Sequence, residues 1–380
     1  MARRSALERS AMTPGKLLGM QRITRRNGTL TMLALDQNVP MQQMARAALA
    51  RGGEEREPTD DEIVAAKLLL TQHLSKKASA VLLDSVYGAW QAVCAFKLAP
   101  RAGLVVRLEQ GWPEPTADGS GRVNVVEPGW SVAKIKRMGA DAVKLMVYYE
   151  PDHVESARPQ RALVERVAAA CDRFDIVLLL EALSYPLGGE TKTSPSYLAR
   201  KPRTVVEAAR HLSGLCDVYK AEFPGTLGHE GGEELARNLD ALDEACRGPW
   251  VLLSAGVDFP DYHKQVAMAC EHGASGILGG RAVWKEFFDV GDEAQRVHFL
   301  RTEGVRRLTA LDQIIRKNAR PWFKKYRLTR GSFARVRIPT DWNRTYPSGE
   351  PQAQAGPSHT DSASPPAPAA DDPPADCQGE

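Results

Sequence analysis

Two lysines and a set of carboxylates stand in or just after short apolar runs of this chain. Lys220 lies inside Asp217-Val-Tyr-Lys-Ala-Glu-Phe-Pro224, a stretch that reads as a buried strand. A buried ammonium is costly, and it escapes the cost by finding a carboxylate or by losing its proton. A neutral lysine in a pocket is a nucleophile towards carbonyls. Lys220 therefore reads either as a nucleophile or as half of an ion pair with Glu222 or another carboxylate. Lys144 occupies a second such run, and a nearby ammonium would disfavour the charged form of Lys220. Asp36, Asp84, Glu109 and Glu181 close other runs. A lysine nucleophile with a carboxylate acid/base is the equipment for Schiff-base chemistry on a ketone. Two further strand ends, Ser254-Ala-Gly256 and Gly279-Gly280-Arg281, carry small residues and an arginine. Backbone N–H groups there can approach an oxyanion and the guanidinium can fork onto it.

The elements that must position these residues follow from periodicity. Eight short apolar runs (30–36, 79–84, 103–109, 141–148, 176–181, 217–224, 250–256 and 274–280) alternate with amphipathic stretches that read as helices. The helices are expected over 41–52, 59–77, 130–138, 155–173, 204–213, 230–246, 260–272 and 292–317, with a Gly/Ser/Pro-rich loop over 184–203. Continuously apolar strands alternating with helices argue for a parallel sheet buried on both faces. Eight such units predict an α/β chain folded as a (β/α)₈ TIM barrel, whose active site is built at the C-terminal ends of the strands. An open doubly wound sheet is the alternative, but no G-x-G-x-x-G follows the first strand. The expected organisation is a flexible N-terminus (1–15), the barrel (16–317), a basic extension (318–346) and a disordered tail rich in Pro, Ala, Ser and Asp (347–380).

Composition narrows the function. A formal net charge of +3 is too small to make nucleic acid or an anionic membrane the main partner. The six cysteines are scattered, with no C-x-x-C pair, and read as reduced thiols of a cytoplasmic protein. No apolar run is long enough to span a bilayer. A metal site would want converging histidines, and His153 and His229 have no His-x-His pair beside them. Ser254 lacks a strand-end histidine to act as its base in a hydrolase.

Taken in order, Ala34-Leu-Asp-Gln37, Gly139-Ala-Asp-Ala-Val-Lys144 with Tyr148-Tyr149, Leu180-Glu181, Asp217-Val-Tyr-Lys-Ala-Glu222, Leu253-Ser-Ala-Gly-Val257 and Gly279-Gly-Arg-Ala282 resemble the class I tagatose-1,6-bisphosphate aldolases. Residues 249–284 are also similar to the sulfofructose-phosphate aldolases, and the likeness spans about residues 20–310. The chain departs at Asn38, where the family has a basic residue, and at Ala182, where it has proline. The resemblance implies Lys220 as the Schiff-base lysine, Glu181 as proton shuttle, and Lys144 with Asp36 as polar partners of the substrate. It also implies Gln37, Ser254, Gly256, Gly280 and Arg281 around the anionic ends, with Gly279 in the same strand end. The implied reaction needs neither metal nor cofactor and cleaves a ketose phosphate, such as tagatose 1,6-bisphosphate, to dihydroxyacetone phosphate and an aldehyde. It further implies a homo-oligomer with a small-molecule sugar phosphate as its partner. A sulfofructose-phosphate or deoxy-sugar phosphate aldolase is the alternative. A sugar-phosphate sensor or scaffold without turnover is the alternative of another class.

Overall fold

Eight parallel strands close into a single barrel in the computed structural model, which describes residues 6–10 and 12–346. They are β1 (Leu30–Ala34), β2 (Ala80–Leu83), β3 (Gly103–Arg107), β4 (Ala142–Tyr148), β5 (Val177–Leu183), β6 (Val218–Ala221), β7 (Trp250–Leu253) and β8 (Gly276–Gly279). Neighbours in sequence are neighbours in the barrel, and β8 returns to pair with β1. The fold is the expected TIM barrel. The tail expected from Pro347 onward lies outside the described residues.

The period of two along a strand separates two cores. Met32, Ala34, Leu82, Val105, Ala142, Leu179, Val218, Val251 and Leu278 meet inside the barrel. Leu33, Val81, Val106, Val143, Leu178, Tyr219 and Leu252 point outward into the layer of helices. At the closing seam Gly276 has φ +141°, and a Cβ there would lie 1.8 Å from the Leu30 carbonyl oxygen. Only glycine lets β8 and β1 approach this closely.

The N-terminal end of the barrel is plugged. Met20 and Ile23 from helix Pro14–Ile23, and Trp322 and Phe323 from a short 3₁₀ turn, complete the interior cluster. Lys16 ties that helix to Asp172 and to Asp217 at the foot of β6, at 2.5 and 3.0 Å. Residues 14 and 15 are therefore helical, within the stretch expected to be flexible, and residues 6–10 also form a helical turn. The basic extension packs against the barrel through its aromatic residues.

A short helix that was not expected forms at Ala89–Cys94, and two of the expected helices differ in extent or continuity. The segment expected as a loop over 184–203 turns helical at Pro195, and the helix runs to Leu212. Proline is well suited to the first turn, and the buried stripe Tyr197, Val205, Ala208, Ala209 and Leu212 outweighs the roughly 3 kcal/mol cost of Pro202 inside the helix. The helix expected over 292–317 is interrupted by a π turn at Leu300–Gly304.

Candidate active site

Two residues beyond the last apolar interior position of β1 to β6, each chain places a polar side chain. Ala34, Leu82, Val105, Ala142, Leu179 and Val218 lie inside the barrel. Adding two gives Asp36, Asp84, Arg107, Lys144, Glu181 and Lys220, all buried. The period of two makes these one further layer of the barrel interior, at its C-terminal end. Three carboxylates and three cations share this layer, so its formal charges cancel.

Lys144 is held from three sides. Its Nζ donates to Asp36 Oδ2 at 2.8 Å and to Glu109 Oε1, and lies 3.2 Å from Glu181 Oε2. An ammonium has three donors, and here each faces a carboxylate. Burial pulls the Lys144 ammonium down, but Asp36, Glu109 and Glu181 outweigh it and hold Lys144 well above the ordinary lysine range. Asp36 shows the reciprocal effect. Burial pushes it up, while Lys144, Lys220 and Arg107 hold it well below the usual carboxylate range. Glu109 is pushed up by burial, with Lys144 and Arg107 pulling against that.

Lys220 has one carboxylate, and it shares that one. Its Nζ lies 2.9 Å from Glu181 Oε2, the same oxygen that faces Lys144. Glu222, the alternative partner open in the sequence, is engaged elsewhere. Its Oε2 accepts from the backbone N–H and the hydroxyl of Ser184, both at 2.6 Å. Being two residues further along the chain puts Glu222 about 6.6 Å higher, above the lysine layer.

A cavity of about 80 Å³ opens over Lys220 and Glu181, walled by Gln37, Lys192, Glu222, Ser254, Gly280 and Arg281. Ala255 and Gly256 both have positive φ, +48° and +82°, and this turn carries the chain past Arg281. A Cβ on Gly256 would lie 3.0 Å from the Arg281 guanidinium carbon. Ser254 Oγ accepts from the Gly280 N–H at 3.3 Å. Burial lowers the Arg281 guanidinium, and no carboxylate lies within 4.0 Å of it among the described residues. A desolvated, unpaired arginine beside a small-residue turn fits an anionic ligand.

The structure thus brings Lys220, Glu181, Lys144, Asp36, Gln37, Ser254, Gly256, Gly280 and Arg281 to one end of the barrel. Gly279 does not join them. A Cβ there would lie 2.7 Å from the Tyr262 hydroxyl, so this glycine admits a helix of the outer layer. It is a packing position, because β8 turns the residue next to Gly280 outward.

Sequence reasoning passed over Arg107 and Lys67. Arg107 Nη1 donates to the Asp36 carbonyl, and its position followed from Val105 by the period of two. Lys67 interrupts the apolar stripe Ile63, Ala66, Leu70, Leu74 of helix Asp60–Leu74. It reaches the Leu35 carbonyl at 2.9 Å, Asn38 Oδ1 at 2.8 Å and Asp84, and so clamps the end of β1. Among the described residues no group of three histidines, cysteines or carboxylates is disposed to hold a metal, and no helix is long and apolar enough to cross a membrane.

Comparison with known proteins places the chain in a family. Residues 30–286 match the DeoC/LacD family aldolase profile. Tagatose 1,6-diphosphate aldolase of Listeria monocytogenes is 32% identical over 348 residues, covering 86% of this chain and 98% of that protein. Tagatose 1,6-diphosphate aldolase 2 of Enterococcus faecalis is 31% identical over 340 residues, covering 84% and 99%. Among solved structures, the fructose-bisphosphate aldolase of Plasmodium falciparum superposes with a TM-score of 0.59 at 12% identity, covering 84% of this chain and 98% of that one. An archaeal fructose 1,6-bisphosphate aldolase gives 0.52 at 20% identity, covering 79% and 98%. With the family profile matched across all eight strands, this chain belongs to the DeoC/LacD family of aldolases.

Proposed function

We propose that the protein cleaves a ketohexose bisphosphate, tagatose 1,6-bisphosphate or a close relative, to dihydroxyacetone phosphate and an aldehyde. The observation that carries this reading is the single oxygen, Glu181 Oε2, set between Lys220 and Lys144 beneath a cavity edged by an unpaired arginine. The relatives named tagatose 1,6-diphosphate aldolase support the choice of substrate.

In this mechanism the Lys220 amine, its proton passed to Glu181, adds to the C2 carbonyl of the ketose. The carbinolamine takes a proton and loses water, leaving a protonated imine. A carboxylate, Glu181 or a water it positions, then removes the C4 hydroxyl proton. The C3–C4 bond breaks, its electron pair moves into the imine to give an enamine on Lys220, and the aldehyde departs. Protonation at C3 and hydrolysis release dihydroxyacetone phosphate and restore the amine. Lys144 keeps its proton throughout, which fixes the Glu181 oxygen and holds positive charge near the developing oxyanion. Asp36 anchors Lys144 and reaches towards the substrate hydroxyls. Arg281, Ser254, Gly256, Gly280 and Gln37 receive the phosphate on C1.

Borohydride reduction in the presence of dihydroxyacetone phosphate, followed by peptide mass spectrometry, tests the assignment. A reduced adduct on Lys220 is the expected result. An adduct on another lysine overturns the role given to Lys220. Bound ligand with no adduct on any lysine turns the reading towards a sugar-phosphate sensor.

A further inference from the structure

Charge is divided unevenly along the last sixty residues of the chain. Residues 347–380 hold six acids, eight prolines and no lysine or arginine. The extension before them, 318–346, holds eight lysines and arginines against one acid, Asp341. Part of that excess is neutralised on the barrel, where Arg320 and Lys325 both pair with Asp243. Arg330 and Arg26 have no carboxylate within 4.0 Å among the described residues. The two are neighbours, since Arg330 Nη1 donates to the Arg26 carbonyl at 3.0 Å.

Arg26 and Arg330 edge a groove of about 520 Å³ whose apolar walls are Leu17, Trp322, Phe323 and Phe333. It lies against the plug, at the opposite end of the barrel from Lys220. The turn that leads into β1 forms one side and the basic extension the other. They meet closely: a Cβ on Gly28 would lie 2.6 Å from the Phe323 ring, and the Gly28 carbonyl accepts from the Trp322 N–H at 2.9 Å. The Trp322 and Phe333 rings stand 5.4 Å apart between centroids. An aromatic groove edged by cations suits an extended, proline-containing segment with acids beside its prolines. Such a segment is stiff before it binds and loses little entropy on docking. Asp371-Asp372-Pro-Pro-Ala-Asp376 has that composition.

The start of the acidic stretch is anchored near the groove. The Tyr346 hydroxyl donates to Asp175, which also accepts from the Gly15 N–H at 2.9 Å. Gly15 lies in the first turn of helix Pro14–Ile23, and the same helix reaches the groove through Leu17 and Gln21. A helix of that length spans about 15 Å. The residues between Tyr346 and Asp371 can extend to about 80 Å, ample for the return. A short tether also keeps the segment at a high effective concentration beside the groove.

We propose that segment 371–376 docks in this groove of its own chain, its carboxylates meeting Arg26 and Arg330 and its prolines the aromatic walls. The proposal does not rest on the ketose-cleavage reading. Its consequence is mechanical: Lys16, in the helix that lines the groove, bonds to Asp217 at the foot of β6. Docking therefore braces the plug beneath the strand that carries Lys220.

Cys377 follows the segment directly and serves as a native reporter. Gln21→Cys puts a thiol on the groove wall. Lys136→Cys puts one outside the groove but beside the anchor, because Lys136 Nζ reaches the Asp175 carbonyl at 2.7 Å. The full chain is oxidised with oxidised glutathione, and disulfides to Cys377 are followed by peptide mass spectrometry without reduction. Gln21→Cys should form the intramolecular bond about tenfold faster than Lys136→Cys. Adding Arg26→Ala with Arg330→Ala, or about 1 M salt, should abolish that advantage. Asp371→Asn, Asp372→Asn and Asp376→Asn together should abolish it as well, and these positions follow the barrel in sequence, so loss of the fold does not account for the result. Equal rates at the two thiols overturn docking. An advantage that survives removal of the arginines and of the acids overturns recognition by charge. Disulfides formed only between two chains overturn docking within one chain.

Discussion

Lys144 on β4 and Lys220 on β6 occupy the same layer of the barrel, with Glu181 between them, but their surroundings differ in kind. Around Lys144 three carboxylates meet three donors, and the amine has no direction left for a substrate. Around Lys220 one shared oxygen is the sole carboxylate contact within 4.0 Å among the described residues, and the cavity lies over it. Chain position alone would make the two interchangeable. The difference lies in neighbours: Glu109 after β3 and Asp36 after β1 converge on β4, whereas Glu222 turns away to Ser184. A saturated ammonium positions and polarises, and an unsaturated one reacts.

The largest effect should come from Lys220→Met, which removes the amine and takes turnover below detection. Thermal unfolding should hardly change, because a single shared ion pair is lost and the apolar chain keeps its volume. Measurable cleavage by pure Lys220→Met would end the comparison outright. Glu181→Gln should lower kcat about 10²- to 10⁴-fold, the range for loss of one acid/base group. Borohydride trapping of dihydroxyacetone phosphate should then proceed more slowly but still mark Lys220. If Glu181→Gln leaves kcat intact, the shared oxygen has no part in proton transfer.

Lys144→Met tests the other half of the contrast. It strands Asp36, Glu109 and Glu181 without their common cation in a buried layer. Breaking a buried ion pair by removing one partner costs about 3–5 kcal/mol. Denaturant unfolding at pH 7 should therefore show Lys144→Met clearly less stable than Lys220→Met, while activity falls in both. Equal stability of the two variants would mean that their environments do not differ as described.

The charged layer was legible because strand ends announce themselves: an apolar run that stops at Asp36, Glu181 or Lys220 names its own inward residue. Who pairs with whom was not legible. Lys220 and Glu222 are two apart on one strand and share a face, which suggests a pair, yet the stagger between β5 and β6 brings Glu181 level with Lys220. Reading strand three to Glu109 hid Arg107, although Val105 fixes its inward direction. Gly279 looked like part of an oxyanion cradle because composition cannot tell which face a glycine lacks. The Gly/Ser/Pro-rich composition of 184–203 concealed the start of a helix at Pro195, because composition does not register the buried stripe that Tyr197 shares with Val205 and Ala209.

The smallest expected effect distinguishes the carboxylates that surround Lys144. Asp36 is held below its unfolded value, near 3.9, by Lys144, Lys220 and Arg107 against the opposing pull of burial. Its contribution to stability is therefore complete above about pH 4–5 and drains away as pH falls through its folded value. Glu109 has the opposite sign. Burial pushes it up, so the folded state takes up its proton first, and stability gains as pH falls through that window. Unfolding midpoints between pH 7 and pH 3 should show a net fall in acid. Asp36→Asn should make that fall shallower and Glu109→Gln should make it steeper. The opposite order would mean that Lys144 gives its charge mainly to Glu109. In that case Asp36 would be the carboxylate free to meet the substrate as an acid.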